Sequence, residues 1–150
     1  MVSRVSETRA LARSRRAARK LLAQSLYQLQ LAEHPWQDVC GQFLAEPESA
    51  AADREYYKEL LQAIAGGRAE LDRLLAGYSD IEPARLDPVE HGILWLGLYE
   101  LQHRPDVPYR VAISEAVELT KRFGATDGHK FVNAVLDRAA SALRPDEARG

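Results

Sequence analysis

Apolar residues in this chain recur at intervals of three and four, and no alternating run of four or more residues has strand composition, a pattern that points to packed helices instead of a half-buried sheet. Ala18, Leu22, Leu26 and Leu29 make the first stripe, which Pro35 ends. A short helix over WQDVCGQFLAE follows, burying Val39, Cys40, Phe43 and Leu44 before Pro47. Between Ala51 and Tyr78 one stripe holds Tyr57, Leu60, Leu61 and Ile64, and another holds Leu71, Leu74, Leu75 and Tyr78. Gly66-Gly67 separates them, and each glycine costs about 1 kcal/mol relative to alanine inside a helix, so a kink or two stacked helices is expected there.

The stretch YSDIEPARL reads as a linker. Asp87-Pro88-Val89-Glu90 then opens a fourth helix with an N-cap aspartate, a proline at the first helical position and a glutamate placed for a capping box. A fifth presents Ala112, Ala116, Leu119 and Phe123, with Gly124 as its C′ residue, and a sixth begins near Thr126 or Asp127 and stacks Val132, Val135, Leu136, Ala139 and Leu143. The fold class is therefore all-α, in two helical halves meeting near residues 80 to 86.

The 150 residues match one ordinary domain that needs no metal or disulfide to fold. Cys40 is the one cysteine, which fits a reducing, cytoplasmic setting. The arginine-rich start resembles a transit peptide, but residues 21 to 31 continue from it into a core helix without a break. No stretch reaches the ~20 apolar residues of a membrane span, so no membrane partner is expected.

Charge is what singles out a function. Residues 1 to 20 carry Arg4, Arg9, Arg13, Arg15, Arg16, Arg19 and Lys20 against Glu7, whereas the remainder holds 13 basic and 21 acidic side chains. An electropositive arm on an acidic body points to a polyanion. On a helix, Arg9, Arg13, Arg16 and Lys20 follow at spacings of 4, 3 and 4 as one stripe, with Arg15 and Arg19 in an adjacent row. Both rows read as lying outside the apolar stripe, so replacing Arg15, Arg16 and Arg19 is expected to weaken RNA binding and leave helicity intact. Guanidinium stripes track phosphates, Gln24 one turn on is placed to reach a base edge, and arginine-rich segments that order on binding are a common way to hold RNA. Arginines at a helix start oppose the macrodipole, so helix stability does not explain them.

Enzyme signatures are absent: the sequence has no Walker loop, GxGxxG, HExxH, GxSxG or CxxC. His34, His91, His103 and His129 lie on separate elements without metal-ligand spacing, so no metal, cofactor or catalytic residue is assigned. In ATDGHKFVNAVLDRAA, Phe131 falls off the Val132, Val135, Leu136 stripe, beside Lys130 and His129. An aromatic next to a basic residue is how single-stranded RNA readers combine stacking with phosphate contact, although core packing is the better explanation of one phenylalanine taken alone.

Taken together, Arg15, Arg16, Arg19 with Gln24-Ser25-Leu26-Tyr27, then Arg85-Leu86-Asp87-Pro88-Val89-Glu90, Leu98-Tyr99-Glu100-Leu101, Val107-Pro108, Val111-Ala112-Ile113 with Glu115-Ala116-Val117-Glu118-Leu119, and His129-Lys130-Phe131-Val132-Asn133 with Val135-Leu136-Asp137, resemble the NusB family of bacterial transcription antitermination factors. The resemblance runs from about residue 13 to 140. It implies two small bundles, about six to seven helices, packed into one domain and no enzymatic activity. Residues 13–150 are expected to form the domain, with subdomains at about 13–82 and 86–143, and the extra residues 1–12 that precede the basic segment depart from the family pattern and are expected to be disordered. Family members pair with the ribosomal protein NusE, bind boxA of ribosomal RNA leaders, and join the elongating RNA polymerase with other Nus factors.

Carried over by position, Arg13, Arg15, Arg16, Arg19 and Lys20 match the RNA-binding segment, flanked by Gln24 and Tyr27, and Asp127, Lys130 and Phe131 match a second RNA-contacting patch. Glu90, Leu94 and Leu98 are the residues the resemblance assigns to the partner surface. The chain departs from the pattern at Ser114, Gly128 and Ala134, and at Trp95, which bears on partner contacts. Two other readings remain: a helical protein-interaction module or homodimer that binds no nucleic acid, and an accessory domain of an RNA methyltransferase.

Overall fold

The computed structural model describes residues 3–148, and among these the regular structure is helical throughout. Its elements are α1 (Arg4–Leu31), α2 (Trp36–Leu44), a 3₁₀ turn (Pro47–Ala51), α3 (Arg54–Gly66), α4 (Arg68–Ala76), a second 3₁₀ turn (Pro83–Arg85), α5 (Pro88–His103), α6 (Tyr109–Phe123), α7 (Gly128–Leu143) and the single turn α8 (Pro145–Ala148). The chain divides into two compact units, one ending at Ala65 and the other beginning at Gly66.

In the first unit, Ala18, Leu22 and Leu26 of α1 and Tyr57, Leu60, Leu61 and Ile64 of α3 are fully buried. The Tyr57 hydroxyl and Ser25 Oγ share a buried hydrogen bond of 2.6 Å, which satisfies both polar groups inside the core. Burial pushes the Tyr57 phenol well above its ordinary range, so it stays neutral. Residues 4–12, expected to be disordered, instead continue α1. Ser3 caps the helix by accepting the Ser6 N–H at 3.1 Å, and once the downstream turns are anchored each added residue gains a hydrogen bond without a new nucleation cost.

Gly66-Gly67 does break the long third segment, leaving α3 and α4 as separate helices. The break also marks the boundary between the units, earlier than the linker at 80 to 86. The reason is that α4 packs on α5: Leu71 and Leu75 are buried, and Asp72 Oδ1 accepts from Trp95 Nε1 at 2.8 Å and lies 2.6 Å from His91 Nε2. Around α5, residues His91 to Leu98 are all buried, enclosed by α4, α6 and α7. Asp87 caps this helix as its sequence signals, accepting the N–H groups of Val89 at 2.9 Å and Glu90 at 3.4 Å. Gly124 adopts an extended conformation instead of the left-handed one of a C′ glycine.

The end of α7 closes the second unit through Arg144, whose side chain is only 10% exposed. Its Nε donates to the Leu101 carbonyl at 2.7 Å, and Nη2 lies 3.0, 2.8 and 3.0 Å from the carbonyls of Glu100, Arg104 and Val107. Its Nη1 reaches Glu147 at 2.8 Å, and Glu147 accepts the Tyr109 N–H at the start of α6 at 2.7 Å. One guanidinium thus donates to four carbonyls at the end of α5 and in the turn beyond it, two of which, Glu100 and Arg104, also accept a backbone N–H. Arg144→Lys, which keeps the charge but loses the planar fork, should lower the unfolding free energy by about 2 kcal/mol in urea titrations.

Candidate nucleic-acid interface

The arginine segment divides between two faces of α1. Arg9, Arg13 and Arg16 are exposed, Lys20 and Gln24 half-buried, and Tyr27 39% exposed two turns beyond Lys20 on the same row. This outer row spans about 27 Å at 1.5 Å per residue. The inner row behaves differently. Arg19 is 3% exposed, and the Arg15 side chain 19%.

Both inner guanidinium groups face the ring of buried Tyr56, Arg15 at 4.5 Å and Arg19 at 5.8 Å from its centroid. Asp53 joins α3 to α1 at the same point. Its N–H donates to the Ser14 carbonyl at 2.9 Å, its Oδ1 caps α3 by accepting the Tyr56 N–H at 3.1 Å, and its Oδ2 lies 3.9 Å from Arg15 Nε. Cation–π and ionic contacts therefore turn Arg15 and Arg19 into braces between the helices. This corrects the expectation that they lie outside the apolar stripe. Counting on at spacings of 4, 3, 4 and 3 from Arg15 gives Arg19, Leu22, Leu26 and Leu29, so the sequence did carry the signal.

In the second unit, Asp127, Lys130 and Phe131 lie together at the start of α7. Asp127 takes up a left-handed backbone, φ 68°, a conformation that aspartate tolerates better than most residues. Its carboxylate lies 3.3 Å from Lys130 Nζ; the pair is exposed and contributes little to stability. Phe131 is half-buried at the rim of an open groove of about 300 Å³, lined also by Ile81, Arg85, Leu86 and Thr126. Arg85, exposed on the second 3₁₀ turn, is a cation of this patch that the sequence reading did not assign to a binding site. Asn133 needs no buried partner: it is exposed and donates to Asp137 at 3.3 Å.

The expected partner residues fare less well. Leu94 and Leu98 have no exposed surface, because α5 is apolar around its whole circumference and is enclosed on all sides. Trp95, 2% exposed and tied to Asp72, is likewise internal. Of the three, Glu90 alone is partly exposed, and its carboxyl occupies the space that a Cβ at Gly128 would need. Burial, aided by the charge of Asp87, raises the Glu90 pKa above its ordinary value.

A family model described as the NusB family matches residues 16–141. The chain belongs to the NusB family. It is 44% identical over 135 residues to the transcription antitermination protein NusB of Marinobacter nauticus, covering 90% of this chain and 85% of that protein. It is 48% identical over 134 residues to the protein of the same description from Escherichia coli, covering 89% and 96%. The solved structure of T. maritima NusB superposes with a TM-score of 0.78 at 27% identity, over 89% of this chain and 95% of that one. The fold and family are those of transcription antitermination proteins, and among the described residues no helix is long and apolar enough to cross a membrane.

Two predictions follow from the geometry. Arg19→Ala should cost about 2 kcal/mol of stability through lost packing and cation–π contact, more than Arg16→Ala, whose side chain is exposed, as urea titrations will check. Glu90 has a folded-state pKa above its unfolded one, so its contribution is most favourable at acid pH and is lost as pH rises through the folded value. Glu90→Gln should therefore raise Tm at neutral pH, and the gain should vanish on acidification.

Proposed function

We propose that this family member is a non-catalytic adaptor that binds the boxA element of ribosomal RNA leader transcripts together with the ribosomal protein NusE, and so joins other Nus factors on the elongating RNA polymerase in the cytoplasm. The observation that carries the RNA reading is the outer row of α1, where Arg9, Arg13, Arg16 and Lys20 share one face and lead to the exposed ring of Tyr27. Guanidinium groups contact phosphates through charge-assisted hydrogen bonds, and an aromatic at the end of the row offers a base a stacking surface.

Arg15 and Arg19 serve the interface indirectly, by fixing α1 against Tyr56. Gln24 is the base-edge candidate on α1, and Asp127, Lys130 and Phe131 are the candidates in the second unit, where the ring supplies stacking and the lysine a phosphate contact. The acidic balance of the chain beyond residue 20 suits a basic ribosomal partner. Glu90 stays a candidate contact for it; Leu94 and Leu98 do not, since they are enclosed.

Binding of a boxA-bearing single-stranded RNA and of a scrambled control, each with and without NusE, tests this reading. A preference for boxA that NusE strengthens and rising salt weakens is expected. Equal, weak binding of both RNAs under all conditions would instead make the chain a protein-interaction module.

A further inference from the structure

The acidic excess of the chain is gathered in one stretch. Residues 32–65 hold seven acidic side chains and two basic ones, whereas the longer stretch 66–150 holds 14 and 11. Within the first unit α2 packs on α1 and on the first 3₁₀ turn, and between α2 and α3 runs an open groove of about 570 Å³. Trp36, Cys40 and Leu44, each one turn from the next, line it from α2, and Glu55, Lys58 and Glu59 line it from α3. Cys40 is buried and Trp36 and Leu44 are half-buried, while the three charged residues are exposed, so the apolar members sit deeper than the charged rim.

Gly41 is a second, independent sign that something enters this groove. It stands inside α2, where glycine costs about 1 kcal/mol relative to alanine, and its backbone makes no use of left-handed freedom. A Cβ at this position would meet no atom of the chain within 4 Å. Neither packing nor backbone conformation within the chain accounts for the glycine, and the space it leaves opens into the groove. Glycine in such a place permits the close approach of another molecule.

We propose that the α2–α3 groove docks a cationic amphipathic segment of a partner protein, with two apolar side chains one turn apart laid along Trp36, Cys40 and Leu44 and with lysines or arginines against Glu55 and Glu59. From Trp36 to Leu44 the apolar strip is about 12 Å long, which matches two turns of a helix and so two such anchors. Lys58 lies 3.4 Å from Glu55, but the pair is exposed and worth little, so an incoming cation displaces it at small cost. The local charge draws cations in and turns nucleic acid away, which separates this surface in kind from the arginine row of α1. The proposal does not depend on the RNA-binding reading.

The test titrates the isotope-labelled full chain with helical lysine–alanine peptides that carry two leucines, two phenylalanines or two isoleucines one turn apart. Control versions replace the apolar pair by serine, or the lysines by glutamate. Amide shifts in NMR spectra locate binding, calorimetry measures it, and sedimentation velocity reports self-association. A lysine peptide should shift the amides of α2 and of residues 55–62, its serine version should bind about tenfold more weakly, and its glutamate version should not bind. Gly41→Leu, which fills the groove, and Glu55→Lys, which reverses the rim charge, should each weaken binding about tenfold. The urea midpoint of Gly41→Leu should not fall, since leucine favours a helix over glycine.

Absence of binding by every lysine peptide would overturn the proposal, as would shifts centred elsewhere, equal binding of the glutamate versions, or parent-like affinity in either variant. A parent dimer that Gly41→Leu dissociates would make the occupant a second copy of this chain, and boxA-bearing RNA that shifts the same amides would make it RNA. Either result would contradict a cationic partner segment.

Discussion

Burial of one face of α1 against α3 determines where every arginine of the basic segment points. Leu22 and Leu26 of α1 and Leu60 and Leu61 of α3 are fully buried, each such side chain worth roughly 1.5–3 kcal/mol relative to leaving it in water, and the Ser25–Tyr57 hydrogen bond ties the two helices together. Because a helix is rigid over a few turns, this burial fixes the rotation of the whole element, including its exposed first turns. Residues four and three apart from the leucines, Arg15 and Arg19, are drawn inward onto Tyr56, and those on the opposite side are turned to solvent. A single packing decision separates arginines that hold the fold from arginines that face solvent. It also distinguishes this arm from arginine-rich segments that become ordered only on RNA, since here the backbone is in place beforehand.

The second unit is organised around α5 in a similar way. An apolar helix with no polar face must be covered on every side, and α4, α6 and α7 cover it. The few polar groups it carries are tied down locally: Trp95 and His91 to Asp72, and its C-terminal carbonyls to Arg144. What this leaves at the surface is the turn before α7, with Phe131 and Arg85 beside an open groove, and not the leucines of the central helix. A partner of the second unit must therefore dock on surface contributed by other residues.

Much of this was legible in the sequence. The helices around Leu22, Leu60 and Val135 follow from spacing, Asp87-Pro88 marks a helix start that the structure uses, and Gly66-Gly67 marks a real break. Where the reading failed, the cause is physical. Charge disguised Arg15 and Arg19 as surface residues, because a long side chain with a flat cationic head packs on an aromatic ring while continuing an apolar row. Composition placed the boundary in YSDIEPARL, yet buried Leu71 and Leu75 bind α4 to α5. Leu94 and Leu98 were assigned to a partner on family resemblance, which cannot show that a helix is surrounded by its own chain. The helical state of residues 4 to 12 was hidden because every residue of that stretch is exposed and the stretch owes its order to the segment it extends.

The central claim is that the outer row of α1 meets RNA while the inner row braces the fold, and arginine-specific chemical modification read by mass spectrometry tests it residue by residue. In the free protein, Arg9, Arg13 and Arg16 should react readily and Arg19 hardly at all; on addition of boxA-bearing RNA with NusE, the first three should become protected while Arg19 stays as it was. Rapid modification of Arg19 in the free protein, or unaltered reactivity of Arg9, Arg13 and Arg16 when RNA is bound, would contradict the account.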